Sequence, residues 1–284
     1  MPFSHKHTAG RRRIGESHLA NGVCKLTGAT GKFVDSHLIP KALTKPEAPG
    51  HPFWEAGSGS RPMRRYSSWY DNRLVTQSGE DILEKLDGWA IKKLRFHRLV
   101  WSGWGPMLKL SGFDRIPGTQ WGLRPLHDPD WLRLRLFFLS LLWRAAASDR
   151  REFKEMSLPS DHLEQLRKMV VTGDAKPLEF YPISLTQLST LGVIHNQTPF
   201  PDDKWVPEAG KRPEHFVPIF RFYFDGLISH FDRRPADELI HANLDDLHLG
   251  YSDRVVVTAI PYEESFQQKN IETIISEAVN WRPR

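Results

Sequence analysis

The sequence predicts an α+β protein: a small N-terminal unit of two short strands and a helix, joined to a larger, mainly helical region carrying a small sheet. Three observations predict it. Apolar residues recur at helical spacing from Ile82 to Leu94, and lie nearly all round a second helix from Asp128 to Ala147. Aromatic and β-branched residues run from Phe216 to Phe224 and from Val255 to Ile260, which reads as strand. Charge then separates the two regions: residues 1–127 hold 20 Lys+Arg against 10 Asp+Glu, and residues 128–284 hold 19 against 24. A basic first half and an acidic second half suggest that the first half meets a polyanion.

Composition narrows the setting. Ten Trp and sixteen Phe can furnish a sizeable core, and a single cysteine excludes an internal disulfide framework. The best apolar run, Leu136 to Trp143, is flanked by Arg133, Arg135 and Arg144 and is too short to cross a bilayer. Met1 to Gly10 carries no apolar segment of the signal-peptide kind. A cytoplasmic protein with no membrane partner is expected.

Taken in order, residues 1–20 read as a basic flexible arm containing Arg11, Arg12 and Arg13. The next unit spans residues 21–97. Cys24 to Gly28 reads as a strand entering a tight turn, Lys32 to Asp35 as a second strand, and Pro40 to Leu43 as a helical turn. Residues 44–65 are rich in Pro and Gly and read as an irregular loop, whose Arg61, Arg64 and Arg65 suit phosphates. Ser78 is the predicted N-cap of a helix ending near Arg95, with Asp81 completing a capping-box-like arrangement. Residues 98–284 form the second region. Leu99 to Gly122 reads as loop with short strands, and its Trp101 and Trp104 as core anchors. Asp128 caps the helix that follows, and Pro129 occupies its first turn. A third helix covers Ser160 to Val171, and Glu272 to Val279 a last one.

Chemistry concentrates in Asp35-Ser36-His37-Leu38-Ile39-Pro40 and the later Asp71-Asn72. Phosphodiester hydrolysis needs a base for water and a cation for the charge on phosphate. A neutral histidine can be that base, and Asp, Asn or Glu oxygens suit Mg²⁺. His37, Asp35, Asn72 and Glu80 are these types, on a strand end, a turn and a helix start.

Asp35 to Pro40, followed by Asp71-Asn72-Arg73-Leu74-Val75-Thr76, resembles the HNH, or ββα-metal, endonucleases over residues 22–95. The resemblance implies an HNH-like ββα domain with His37 as general base. Asp35, Asn72 and Glu80 would hold or support Mg²⁺ or Mn²⁺, with Asp81 the other candidate for the helix ligand. Arg64, Arg65 and Arg73 would contact the phosphates of a nucleic acid, DNA foremost. Relatives carry paired Cys-x-x-Cys knuckles around a structural zinc. Here Cys24 to Thr27 matches the first knuckle with Thr27 in place of its second cysteine. The second would fall at Ser67 to Tyr70 with both cysteines replaced, so no structural zinc is expected, and packing by Phe33, Tyr66, Trp69 and Tyr70 would take its place. The residue before the histidine, commonly acidic in the family, is Ser36. Leu139 to Ala146 resembles helices of bacterial proteins that follow such an N-terminus. The implied activity is a metal-dependent DNA endonuclease, in the setting of bacterial phage defence. The alternative is a catalytically inactive, HNH-derived nucleic-acid-binding or protein-interaction module, for which no protein partner is specified.

Overall fold

The computed structural model describes residues 20–44, 53–56, 63–66, 68–206, 215–239 and 244–280. The basic arm, Arg61 and Ser67 lie outside them. In chain order the elements begin with strands β1 (Asn21–Val23), β2 (Thr30–Lys32), β3 (Ser36–His37), β4 (Phe53–Ala56), β5 (Met63–Arg65) and β6 (Tyr70–Asp71). Helix α1 (Gln77–Phe96) follows, then β7 (Asp114–Arg115), β8 (Gly122–His127), α2 (Trp131–Ala147) and α3 (Ser160–Thr172). The remainder is β9 (Ile183–Leu188), β10 (His195–Gln197), β11 (Phe200–Val206), β12 (His215–Phe224), β13 (Leu227–Asp232), α4 (Ala236–Leu239), β14 (Arg254–Ile260) and α5 (Phe266–Asn280).

The sheet of the second region is larger than its sequence suggests. Seven strands run in the order β11-β12-β13-β9-β14-β8-β7, mixed in direction because β14 pairs parallel with β9. One face packs on α2. Phe220, Phe222 and Phe224 alternate along β12 toward that helix, and Phe138 stacks on Phe224 with ring centres 6.2 Å apart. Sequence reasoning read Phe216 to Phe224 and Val255 to Ile260 as strands, and both are. It missed β8, β9, β11 and β13.

The N-terminal unit is built onto this body. β1 and β2 form an antiparallel hairpin, and β3 pairs antiparallel with β6, Ser36 opposite Asp71 and His37 opposite Tyr70. One continuous core cluster contains Cys24, Leu38 and Leu74 of the unit together with Phe137, Leu185 and Val257. Polar ties reinforce it: Lys25 Nζ donates to the Ala147 carbonyl at 2.8 Å, and Arg167 Nη1 to the Leu26 carbonyl at 2.7 Å.

Three expectations are corrected here. Residues 44–65 are not wholly irregular, since β4 and β5 form a hairpin that extends parallel onto β10. Helix α1 starts one residue before Ser78, from Thr76, without a side-chain cap. Asp81 instead accepts from Gln77 Nε2 at 2.8 Å. Asp128 lies before α2, accepts the Asp130 N–H at 2.9 Å, and the helix begins at Trp131 rather than at Pro129. The helix expected at Ser160 to Val171 is α3, closed at its end by Gly173.

Candidate active site

Strand alternation assigns the site residues to faces. His37 and Tyr70 project together, their ring centres 6.4 Å apart, while Ser36 and Asp71 project to the buried side. Asp71 fixes the turn that follows. Its Oδ1 accepts the Arg73 N–H at 2.8 Å and its Oδ2 the Ser148 hydroxyl at 2.7 Å. This leaves Asn72 and Arg73 exposed on the turn between β6 and α1. Asp35 is exposed at the start of β3.

His37 is half-buried, and its imidazole makes no hydrogen bond among the described residues. Burial lowers its pKa, and the nearby Lys41 and Arg144 cations push the same way against Asp35 and Asp87. At neutral pH the ring is therefore uncharged, with a nitrogen free to accept a proton.

Glu80 emerges from the first turn of α1 beside Ser36. Burial raises its carboxyl above the ordinary range, with Ser36 and the Arg144 guanidinium pulling the other way. Glu80 Oε2 and Ser36 Oγ are buried and close enough for the hydroxyl to stabilise the carboxylate, but the pair does not form a well-aligned hydrogen bond.

Arg144, which sequence reasoning did not assign to the site, organises this region from α2. It is 1% exposed and donates to Asp87 at 2.5 and 2.9 Å, to Ser140 Oγ at 3.0 Å and to the His37 carbonyl at 3.2 Å. The signal was present in the sequence. A cation on a helix that is apolar all round demands a partner, and Asp87 stands on the exposed-to-buried edge of α1.

The predicted phosphate contacts separate. Arg73 is exposed next to Asn72, whereas Arg64 lies over the Trp54 ring at 5.2 Å on the β4–β5 hairpin. Arg65 pairs through its backbone with Phe53, and its side chain lies outside the described residues.

A second knuckle was expected at Ser67 to Tyr70, of which Ser67 lies outside the described residues, and the turn at Cys24 packs instead against the start of α1. It faces Thr76 and Gly79, which share its spacing. Cys24 Sγ accepts the Thr27 N–H at 3.4 Å, and Thr27 Oγ1 meets Ser78 Oγ at 3.4 Å. A Cβ added to Gly79 would stand 2.6 Å from Cys24 Sγ, so only glycine permits this approach. Burial works to raise the thiol pKa, but hydrogen bonds from Thr27, Thr76 and Leu26 outweigh it and hold it below the usual value. Of the aromatics expected to brace this unit, Trp69 is buried edge-on against Phe153 at 5.7 Å, while Tyr66 and Tyr70 are exposed.

The candidate metal donors are oxygens only. Asp35 and Asn72 are exposed, and Glu80 offers an orphan carboxylate oxygen next to an orphan hydroxyl. No trio of His, Cys, Asp or Glu among the described residues is placed to hold one ion. Oxygen donors suit hard cations such as Mg²⁺ and Mn²⁺, which keep most of their shell as water. No family model, characterised protein or solved structure matches this chain.

Proposed function

We propose that the N-terminal unit is a phosphodiester-hydrolysing endonuclease domain of the HNH type, acting on DNA, with His37 as its general base. The observation that carries the reading is the order and pairing of its elements. The His37 strand lies antiparallel against the strand that delivers Asn72, and α1 follows at once with Glu80 in its first turn. His37 would take a proton from the attacking water through a ring nitrogen that has no competing partner among the described residues. Arg144, bonded to the His37 carbonyl, fixes the strand that carries the base. Glu80, with Asp35 and Asn72, would hold Mg²⁺ or Mn²⁺, which supplies charge for the phosphate when bound. Arg73 and Lys41, both exposed, offer charge to the backbone of the substrate.

One observation favours a second reading. Ser36 occupies the place of a carboxylate, and the guanidinium of Arg144 stands near Glu80, so the acidic charge available to a cation is reduced. In that reading the unit binds nucleic acid without cleaving it. Nicking of supercoiled plasmid with Mg²⁺ or Mn²⁺ separates the two. The nuclease reading expects nicking by the wild type and loss in Glu80→Gln. Retarded DNA migration with no nicking by the wild type supports binding alone.

A further inference from the structure

The second face of the seven-stranded sheet, away from α2, carries a polar cluster that the proposed nuclease chemistry does not use. Register puts Lys204 and Asp202 of β11, Arg221 of β12, His230 and Asp232 of β13 and Ser184 of β9 on this one face. Lys204 Nζ donates to Ser184 Oγ at 3.3 Å. Two strands separate β11 from β9, a span of about 14 Å in a flat sheet, which exceeds the reach of a lysine side chain. The sheet must therefore curl, with these residues on its concave side. The loop after α4 adds His248 and Tyr251, whose rings lie 6.2 Å apart.

The cluster's charges are unevenly matched. Arg221 pairs with Asp202 at 2.9 Å, and Arg234 grips both oxygens of Asp232. Asp245, near His248, is exposed and accepts the Leu247 N–H at 2.9 Å within its own loop. Lys204 has a neutral hydroxyl as its only hydrogen-bond partner among the described residues. His230 is 7% exposed, and its Nδ1 has no partner among the described residues. The Nδ1 of His248 and the hydroxyl of Tyr251 are likewise buried and unpartnered. Native structures leave few such atoms without a mate. A cation with no carboxylate bonded to it among the described residues, beside unpartnered imidazole nitrogens that carry a proton in one tautomer, suits an anion. Three donors reaching in from β11, β13 and the loop suit a tetrahedral oxyanion. A planar carboxylate is better served by a guanidinium fork, and here Arg234 grips Asp232 while Arg221 is paired with Asp202 and keeps only its Nε without a partner among the described residues.

We infer that the concave face of the sheet binds a phosphate-type oxyanion, held by Lys204 with His230 and His248 as hydrogen-bond donors. Burial and the nearby Arg221 lower the Lys204 pKa, and an arriving anion would favour the charged form.

Calorimetric titration of the full chain with inorganic phosphate, against sodium chloride at matched ionic strength, tests this. Saturable one-site binding is expected in the wild type and equally in His37→Ala, which separates this site from the nuclease proposal. Lys204→Gln should weaken binding at least tenfold, as loss of a charged hydrogen bond implies, and Lys204→Arg should retain most of it. If Lys204→Gln does not fold, His248→Leu in the loop should still weaken binding several-fold. Absence of saturable phosphate binding in the wild type overturns the inference. So does unaltered affinity in Lys204→Gln or His248→Leu, or malonate binding more tightly than phosphate.

Discussion

The two ends of α2 each bury an arginine, and they use it differently. Near the N-terminal end, Arg135 is fully buried and its hydrogen bonds among the described residues all go to backbone carbonyls, those of Ala175, Pro177, Phe180 and Tyr181, at 2.5–3.2 Å. Burial lowers its pKa to about 10, still charged at neutral pH. Near the C-terminal end, Arg144 meets a carboxylate, a hydroxyl and the carbonyl of His37. The first arrangement knits a long connection onto the body. The second couples the body to the strand bearing the candidate base. The same side chain on one helix thus serves folding at one end and site geometry at the other.

The largest effect should come from breaking the structural end. Arg135→Met leaves four carbonyls without their donor and should destabilise the fold by on the order of 4 kcal/mol, seen as a fall in Tm of roughly 10 °C. Activity per folded molecule should be unchanged. Asp87→Asn, at the other end, removes the only carboxylate bonded to Arg144 among the described residues. A loss of about 3 kcal/mol is expected, together with loss of nicking, because Arg144 would relax its hold on β3. Equal losses of activity in both variants would erase the distinction between the two ends.

Acidity adds a smaller test. Burial holds His195, His230 and His248 neutral, with His248 lowered to about 4. A depressed histidine pKa gives stability that is present above about pH 6.5 and is lost as pH falls through the folded value. Denaturant unfolding should show His248 costing about 1–2 kcal/mol between pH 7 and 5, with His195 and His230 acting in the same direction, and His248→Asn should remove the His248 share. Asp225 has the opposite sign. It opens the tight turn between β12 and β13, with φ of 50° and Gly226 following at 78°, and burial raises its carboxyl to about 6. Its contribution is complete below the ordinary aspartate value and is lost as pH rises through 6. Asp225→Asn keeps an acceptor for the Ser102 N–H and suits the left-handed turn. It should stabilise the protein by roughly 1–2 kcal/mol at pH 8 and have little effect at pH 3.5.

The sequence made some elements plain and hid others for physical reasons. Helices α1 and α3 announce themselves by apolar spacing, and β12 and β14 by dense aromatic and branched residues. Strand β11 reads Phe-Pro-Asp-Asp-Lys-Trp-Val, loop-like until its place at the sheet edge is seen, where Pro and charges are the usual occupants. Strand β13 mixes Ser229, His230 and Asp232 among apolar residues because both its faces are buried and one is polar. The Asp225-Gly226 pair after an apolar run was a hairpin signal that could have revealed it. Within the candidate site, His37, Asn72 and Glu80 were legible as residue types. Arg144 carried half a signal, a cation on an apolar helix that needs a partner, but its pairing with Asp87 was not legible, since 57 residues separate them and only packing brings them together.

The most direct test of His37 is the pH dependence of plasmid nicking in Mg²⁺ or Mn²⁺. A neutral base with a depressed pKa predicts a rate that rises below pH 6.5 and is level by pH 7. His37→Ala should lower the rate by about 10²–10⁴-fold and abolish the rising limb. Nicking by His37→Ala at the wild-type rate, with the same pH profile, would contradict the account.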